Sequence, residues 1–307
     1  MCLDNHTLRK PKKTLLCGIV NVTPNSFSDG GKWSTTKKAV CHGLALINQG
    51  ADLLDIGGEA THPGASYIAV QQEINRVIPV VRALKKKTQI PISVDTWKAP
   101  VAKKALEAGA DIINDVTGLL GDPQMASVIN SFSASAVLMF NSAIARPRFL
   151  RSQRFPTFGK ARQSFSPQEF SWLKDQDIIT MMKFYFRKSL KKAFQAGIKK
   201  KHLFLDPGIG FGETKKENLT LIKHLTLIHQ WGYPIFLGVS RKRFLVKILK
   251  KVGFSFDPQN ASGFRNRDLA SSYFTALAGF QGIEVIRVHT ISQHKLALAV
   301  ANEIRSA

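Results

Sequence analysis

The chain has 307 residues, 44% of them hydrophobic, with 44 Lys and Arg against 21 Asp and Glu for a formal charge of +23. That length buries a large core in one or two domains, which excludes disorder as the default. The charge draws anions, so nucleic acid, an acidic membrane and a phosphorylated metabolite are the partner classes to separate.

Residues 1–14 form a basic extension without the apolar stretch of a signal peptide, and the apolar run Leu15 to Val22 is too short to cross a bilayer. The expectation is a cytoplasmic protein without a membrane partner. Cys2, Cys17 and Cys41 include no Cys-x-x-Cys pair, so neither a disulfide framework nor a thiolate metal site is supported.

Apolar runs then recur with helical patterns between them. Leu15–Val20 is followed by a helical segment over Thr36–Gln49 and a second run at Leu53–Ile56. Further runs stand at Ile90–Val94, Ile112–Val116, Ala136–Phe140, Leu203–Leu205, Ile235–Val239 and Val285–Val288. Apolar strands flanked by helices indicate a parallel sheet covered on both faces, and eight such units indicate closure. The expected fold is α/β, a single (β/α)8 TIM barrel over 15–307; an open doubly wound sheet is the rival, without its Gly-x-Gly-x-x-Gly signature after the first strand.

Helices are expected over 99–108, 183–196 and 218–230, each followed by a glycine stop at Gly109, Gly197 or Gly232. The stretch from Asn141 to Lys174, rich in Arg, Ser, Phe and Pro, reads as an elaborated loop after strand 5. Lysine clusters such as Lys85–Lys87 and Lys199–Lys201 fall at helix ends and connections and read as solvated surface. No RNA-binding signature accompanies them, so nucleic acid is not an expected partner.

In a closed barrel, polar residues at the carboxyl ends of the strands converge. Here they are Asn21, the segment Glu59–Gly64, Asp95, Asn114, Asp206, Ser240–Lys242, Arg287 and His289. They sort into carboxylates and amides (Asp95, Asn114, Asp206), suited to a heterocycle rich in N–H donors, and a set read as cations (Arg241, Lys242, Arg287, His289), suited to a pyrophosphate. Taken singly, the acidic residues could be strand-end turn formers and His289 a core histidine. Asp55, inside a strand, has two readings, a structural one in bonding backbone amides and a ligand contact, and is left out of the site set.

GIVNVTPNSFSDGG at 18–31 closely resembles the first signature of dihydropteroate synthases. DIGGEATHPGA at 55–65, VDTWK at 94–98, IINDVTG at 112–118, LDPGIGFGETKKEN at 205–218, GVSRKRFL at 238–245 and RVH at 287–289 follow in the family's order. The resemblance covers the chain from Leu15 to its end except the loop after strand 5. It implies condensation of 6-hydroxymethyl-7,8-dihydropterin pyrophosphate with 4-aminobenzoate, giving 7,8-dihydropteroate and pyrophosphate.

By the same resemblance, pterin would be bound by Asp95, Asn114, Asp206, Lys242 and Arg287, with Lys242, Asp95 and Arg287 carrying catalysis. Pyrophosphate would lie against Asn21, Thr61, Arg241, Arg287 and His289, with Mg2+ held at Asn21 and the polar loop Thr23–Asp29 assisting. The 4-aminobenzoate would lie near Thr61, Pro63, Phe211 and Ser240. A homodimer through the late helices and a lid over Thr23–Lys38 are also implied.

Three departures stand out: His62 where the family commonly has Arg, Phe140-Asn141 where it has His-Met, and Thr290 where Asp is usual. The first two resemble the sulfonamide-insensitive branch of the family, and also suit a pterin-binding paralogue with weak or no synthase activity. A methyl-tetrahydrofolate methyltransferase would share the ring-contacting Asp and Asn but not the cationic set. A binder acting through its basic surface would ignore pterin and weaken steeply with salt.

Overall fold

Strands that are apolar on both faces must be covered on both, and parallel pairing with helices on the outside does so. The computed structural model describes residues 14–23, 35–257 and 261–307. Residues 1–13 of the basic extension, most of the expected lid and the polar loop beyond Thr23 lie outside the described residues.

The elements alternate: β1 (Leu15–Asn21), α1 (Thr36–Gln49), β2 (Leu53–Gly57), α2 (Val70–Lys85), β3 (Ile92–Asp95), α3 (Ala99–Glu107), β4 (Ile112–Asp115), α4 (Met125–Ser131) and β5 (Ser135–Met139). Then come α5 (Ser142–Ala145), α6 (Pro167–Leu173), α7 (Ile178–Gln195), β6 (Leu203–Asp206), α8 (Lys215–Lys223), α9 (Thr226–Gln230), β7 (Phe236–Gly238), α10 (Arg243–Lys251), α11 (Ala261–Phe280), β8 (Val285–Val288) and α12 (Ser292–Ser306). The eight strands are parallel in the order β6-β5-β4-β3-β2-β1-β8-β7. A parallel bridge between Leu205 and Ile235 joins the two ends of that row, closing the barrel.

Side chains alternate across a strand, so each strand sends every second residue inward. One inward layer, Cys17, Leu53, Ile112, Val137, Phe204, Phe236 and Val285, is a separate apolar cluster that plugs the barrel's lower half. Their neighbours Leu54, Ile113, Leu138, Leu205, Leu237 and Ile286 point outward into the main core under the helices. The next inward positions, Asp55, Asn114, Asp206 and Arg287, are polar. The strands are therefore not uniformly apolar, as the runs suggested: a polar layer sits inside them, above the plug.

Helix bounds differ from expectation where capping decides them. The Asp177 side chain accepts from the N–H groups of Ile179 and Thr180 and starts α7 at Ile178 rather than at Lys183. A capping box between Thr214 and Glu217 starts α8 at Lys215, and the expected single helix over 218–230 is two, α8 and α9. The segment after β5 is not an open loop, since it holds α5, two 3-10 turns and α6.

Candidate active site

The floor is a network built from strands far apart in sequence. Arg287 on β8 donates through Nε to the Asp55 carboxylate and through Nη2 to Asp95 at 3.0 Å. Asn114 Nδ2 donates to the same Asp55 oxygen at 3.1 Å. Asp55 thus orients two side chains instead of backbone amides, which corrects its structural reading. The buried Asn114 Oδ1 accepts no hydrogen bond, nor does Asp55 Oδ1. An unpaired buried acceptor costs free energy unless a ligand donates to it.

Asp206 ends β6 beside this floor, and its Oδ1 accepts from the Gly208 N–H at 2.7 Å. Gly208 has φ +71°, and a Cβ there would stand 1.7 Å from the Phe140 carbonyl oxygen, so only glycine makes the turn. Lys242 Nζ lies 4.6 Å from the Phe211 ring centroid. A Cβ on Gly210 would meet the Lys242 stem at 2.9 Å, so the glycine turn after β6 makes room for the lysine.

Burial pushes Asp206 up to about 6, resisted by the Gly208 N–H and by Lys242. It lowers Lys242 to about 8, with Asp206 pulling it back up. Asp95 is also raised by burial, against the opposing pull of Arg287.

The expected cation set needs one correction. His289 is held well below the usual histidine range, by burial first and then by Arg241, Arg287 and Lys242. It is neutral at physiological pH and can act as a hydrogen-bond donor, not as a charge. Its backbone N–H donates to Ser240 Oγ at 3.2 Å, and its Nδ1 lies 2.9 Å from the same hydroxyl. With the hydroxyl proton given to Nδ1, the ring proton sits on Nε2.

Arg241 stands in left-handed backbone geometry at φ +56°. Its N–H donates to Ser271 Oγ at 3.0 Å, and its Nε and Nη2 bind Asp268 at 2.7 and 2.8 Å. The guanidinium is thus anchored to α11, a partnership the sequence motif does not disclose.

A cavity of about 200 Å³ at the carboxyl ends of the strands brings together Asn21, Thr61, Pro63, Asp95, Asn114, Asp206, Phe211, Ser240, Arg241, Lys242, Arg287 and His289. Every expected site residue is therefore in one place. Phe155, from the segment after β5, also lines it, its ring 5.8 Å from that of Phe211. Sequence reading missed Phe155, because nothing periodic marks that segment. Among the departures, His62 lines the cavity, whereas Phe140 is buried with its ring 5.4 Å from Tyr185 and Asn141 caps α5. Phe140 and Asn141 serve packing behind the site rather than its lining.

Fold and cavity together define a (β/α)8-barrel enzyme whose mouth gathers carboxylates and amides beside cations. The family model of pterin binding enzymes matches residues 17–289. A dihydropteroate synthase of Bacillus subtilis is 38% identical over 283 residues, covering 92% of this chain and 85% of that one. The Clostridium difficile dihydropteroate synthase solved in the presence of pteroic acid superposes with a TM-score of 0.76 at 34% identity, over 96% of this chain and 98% of that one. The Xanthomonas albilineans dihydropteroate synthase with 4-aminobenzoic acid gives a TM-score of 0.77 at 35% identity, over 96% and 94%. The chain belongs to the dihydropteroate synthase family of pterin binding enzymes.

Proposed function

We propose that the protein is a transferase that joins 6-hydroxymethyl-7,8-dihydropterin pyrophosphate to 4-aminobenzoate, releasing pyrophosphate, in folate biosynthesis. The observation that carries the site assignment is the unpartnered acceptor on the buried Asn114, in a cavity lined also by Asp95, Asp206 and Lys242. A pterin edge presents N–H donors to the acceptors and a carbonyl to the ammonium.

Asp206 would take the ring amide and exocyclic amine, a bidentate match suited to an ionised carboxylate. Asn114 Oδ1 and Asp95 would complete that edge, and Lys242 would donate to the carbonyl and ring nitrogen. Arg287, held flat by Asp55 and Asp95, offers its face to the ring. As the C–O bond breaks, pyrophosphate leaves with the electron pair, held by Asn21, Thr61, Arg241, Arg287 and the Nε2–H of His289. The cationic methylene left on the pterin is then attacked by the amine of 4-aminobenzoate, which loses its proton to water. That second substrate would lie by Thr61, Pro63, Phe211 and Ser240.

The donor set suits Mg2+ brought in by the pyrophosphate. Asn21 offers an amide oxygen, and no group of three or more His, Cys, Asp or Glu forms a cage among the described residues. When bound, Mg2+ would neutralise charge on the departing oxygens. The deciding assay is pyrophosphate release from purified protein given the dihydropterin pyrophosphate and Mg2+. Release that depends on 4-aminobenzoate, with dihydropteroate identified by mass, is expected; pterin binding without turnover would reject the reading.

A homodimer is supported by the late helices. Tyr273, Leu277 and Phe280 on α11 and Leu296, Val300 and Ile304 on α12 are each more than half exposed. Their spacing of three or four residues aligns them as two apolar stripes, which is unusual for a face left in water. Among the described residues, no helix is long and apolar enough to cross a membrane. A second copy docking the same face about a two-fold axis is expected. The double substitution Leu277→Glu and Val300→Glu should convert the dimer to monomer in sedimentation, and an unchanged mass would reject this interface.

A further inference from the structure

The loop between β2 and α2 carries Thr61, His62 and Pro63 to the cavity, yet it is irregular and its tip is exposed at Gly64, Ser66 and Tyr67. What holds it is a buried ionic cluster beneath. Lys98, just past the end of β3, is 2% exposed, and its Nζ donates to Glu59 Oε1, Glu73 Oε2 and the Ile68 carbonyl, each at 2.8 Å. Glu59 also accepts from the Ile68 N–H at 3.0 Å through Oε1 and from Trp97 Nε1 at 2.7 Å through Oε2.

Glu59 and Ile68 are the two ends of the loop, so these bonds staple it into a closed ring. The Tyr67 ring lies over the ammonium at 4.3 Å and adds a cation–π contact at the loop's far end. Trp97 and Lys98 follow Asp95 by two and three residues, so the turn that positions a floor carboxylate also grips the substrate-facing loop.

We propose that Glu59, Lys98 and Glu73 form a positioning hub that sets the Thr61–Pro63 loop for the second substrate, 4-aminobenzoate. Glu59 also borders the cavity, but its carboxylate oxygens are taken by the Ile68 N–H, Trp97 and Lys98, so it acts with Lys98 and Glu73 through the loop. The identity of the substrate affected rests on the reading above, whereas the stapling of the loop does not. A loop with both ends tied gives its substrate a fixed contact surface, and small displacements of such a surface are costly.

Two variants test this. Glu59→Gln keeps the shape but places an NH2 donor against either the Trp97 or the Ile68 N–H, and Lys98→Met removes the cation at similar length. In each folded variant, the KM for 4-aminobenzoate should rise about tenfold or more. Pterin affinity, measured by direct titration, should stay within about twofold of the parent. Hydrogen exchange over 60–68 should quicken in the unliganded protein while α1 is unchanged.

Unchanged exchange and KM in a folded variant would overturn the hub, and so would losses spread equally over both substrates. If Lys98→Met does not fold, Glu59→Gln decides alone. Should the parent make no dihydropteroate, the functional reading fails, and the exchange of 60–68 still decides whether the hub holds the loop.

Discussion

Replacing Lys242 by alanine is expected to lower kcat/KM for the dihydropterin pyrophosphate about 10³-fold while the protein stays folded. The lysine is withdrawn from water next to Asp206, and its side chain makes no capping bond to α10, so the helix does not depend on it. Truncation removes the donor to the ring and leaves the Asp206 charge without the cation that most favours it. Leaving the bound ring carbonyl and the Asp206 carboxylate short of a cation costs about 2–5 kcal/mol in binding, which brackets the expected fall.

The pH profile of the same variant separates this role from a packing role. In the parent, kcat/KM should be bell-shaped, falling below about 6 as Asp206 takes a proton and above about 8 as Lys242 loses one. In Lys242→Ala the alkaline limb should vanish. The acid limb should move to higher pH, because Asp206 is no longer held down by a cation. Near-normal turnover, or a profile with both limbs in place, would reject Lys242 as the ring donor.

What could be read from the sequence was whatever lies at a strand end. Asp95, Asn114, Asp206 and Lys242 follow or close apolar runs, and barrel topology alone brings such positions together. Asp55 escaped because a carboxylate inside an apolar run has several structural uses, and its partners Arg287 and Asn114 lie 232 and 59 residues away. The neutrality of His289 was likewise hidden, since it follows from burial and from the cations around it rather than from its motif. The anchoring of Arg241 was hidden as well: Asp268 sits 27 residues on, in a helix without a matching motif.

The segment after β5 resisted reading most. Its Phe155 reaches the cavity because a 3-10 turn at Ser152–Arg154 and a bond from the Gly64 N–H to the Arg154 carbonyl, at 2.7 Å, tie the segment to the β2–α2 loop. Neither contact has a periodic signal. Phe140 and Asn141, which depart from the family pattern, are by contrast explained by packing: an aromatic ring against Tyr185, and a buried amide whose Nδ2 donates to the Val116 carbonyl at 3.0 Å.

Asp206→Asn should be as damaging as loss of Lys242, for a different reason. The amide keeps one acceptor oxygen, which can still take the Gly208 N–H, but it turns an NH2 toward the two ring donors that the carboxylate would accept. Two charge-assisted hydrogen bonds at about 1.5–3 kcal/mol each are lost, so pterin affinity should fall about 10²- to 10⁴-fold. Stability should not fall with it. A carboxyl whose folded value is raised binds protons more readily folded than unfolded, so its ionisation opposes folding progressively as pH rises from about 4 to 6, and the cost is fully present above that. Asparagine removes that cost and adds back only what Lys242 loses with its partner. The expected result at pH 7.5, taken as roughly assay pH, is a Tm no lower than the parent's beside pterin binding that calorimetry no longer detects. A large drop in Tm would make Asp206 a structural carboxylate, and binding retained within about tenfold would move the ring-reading role to Asp95 and Asn114.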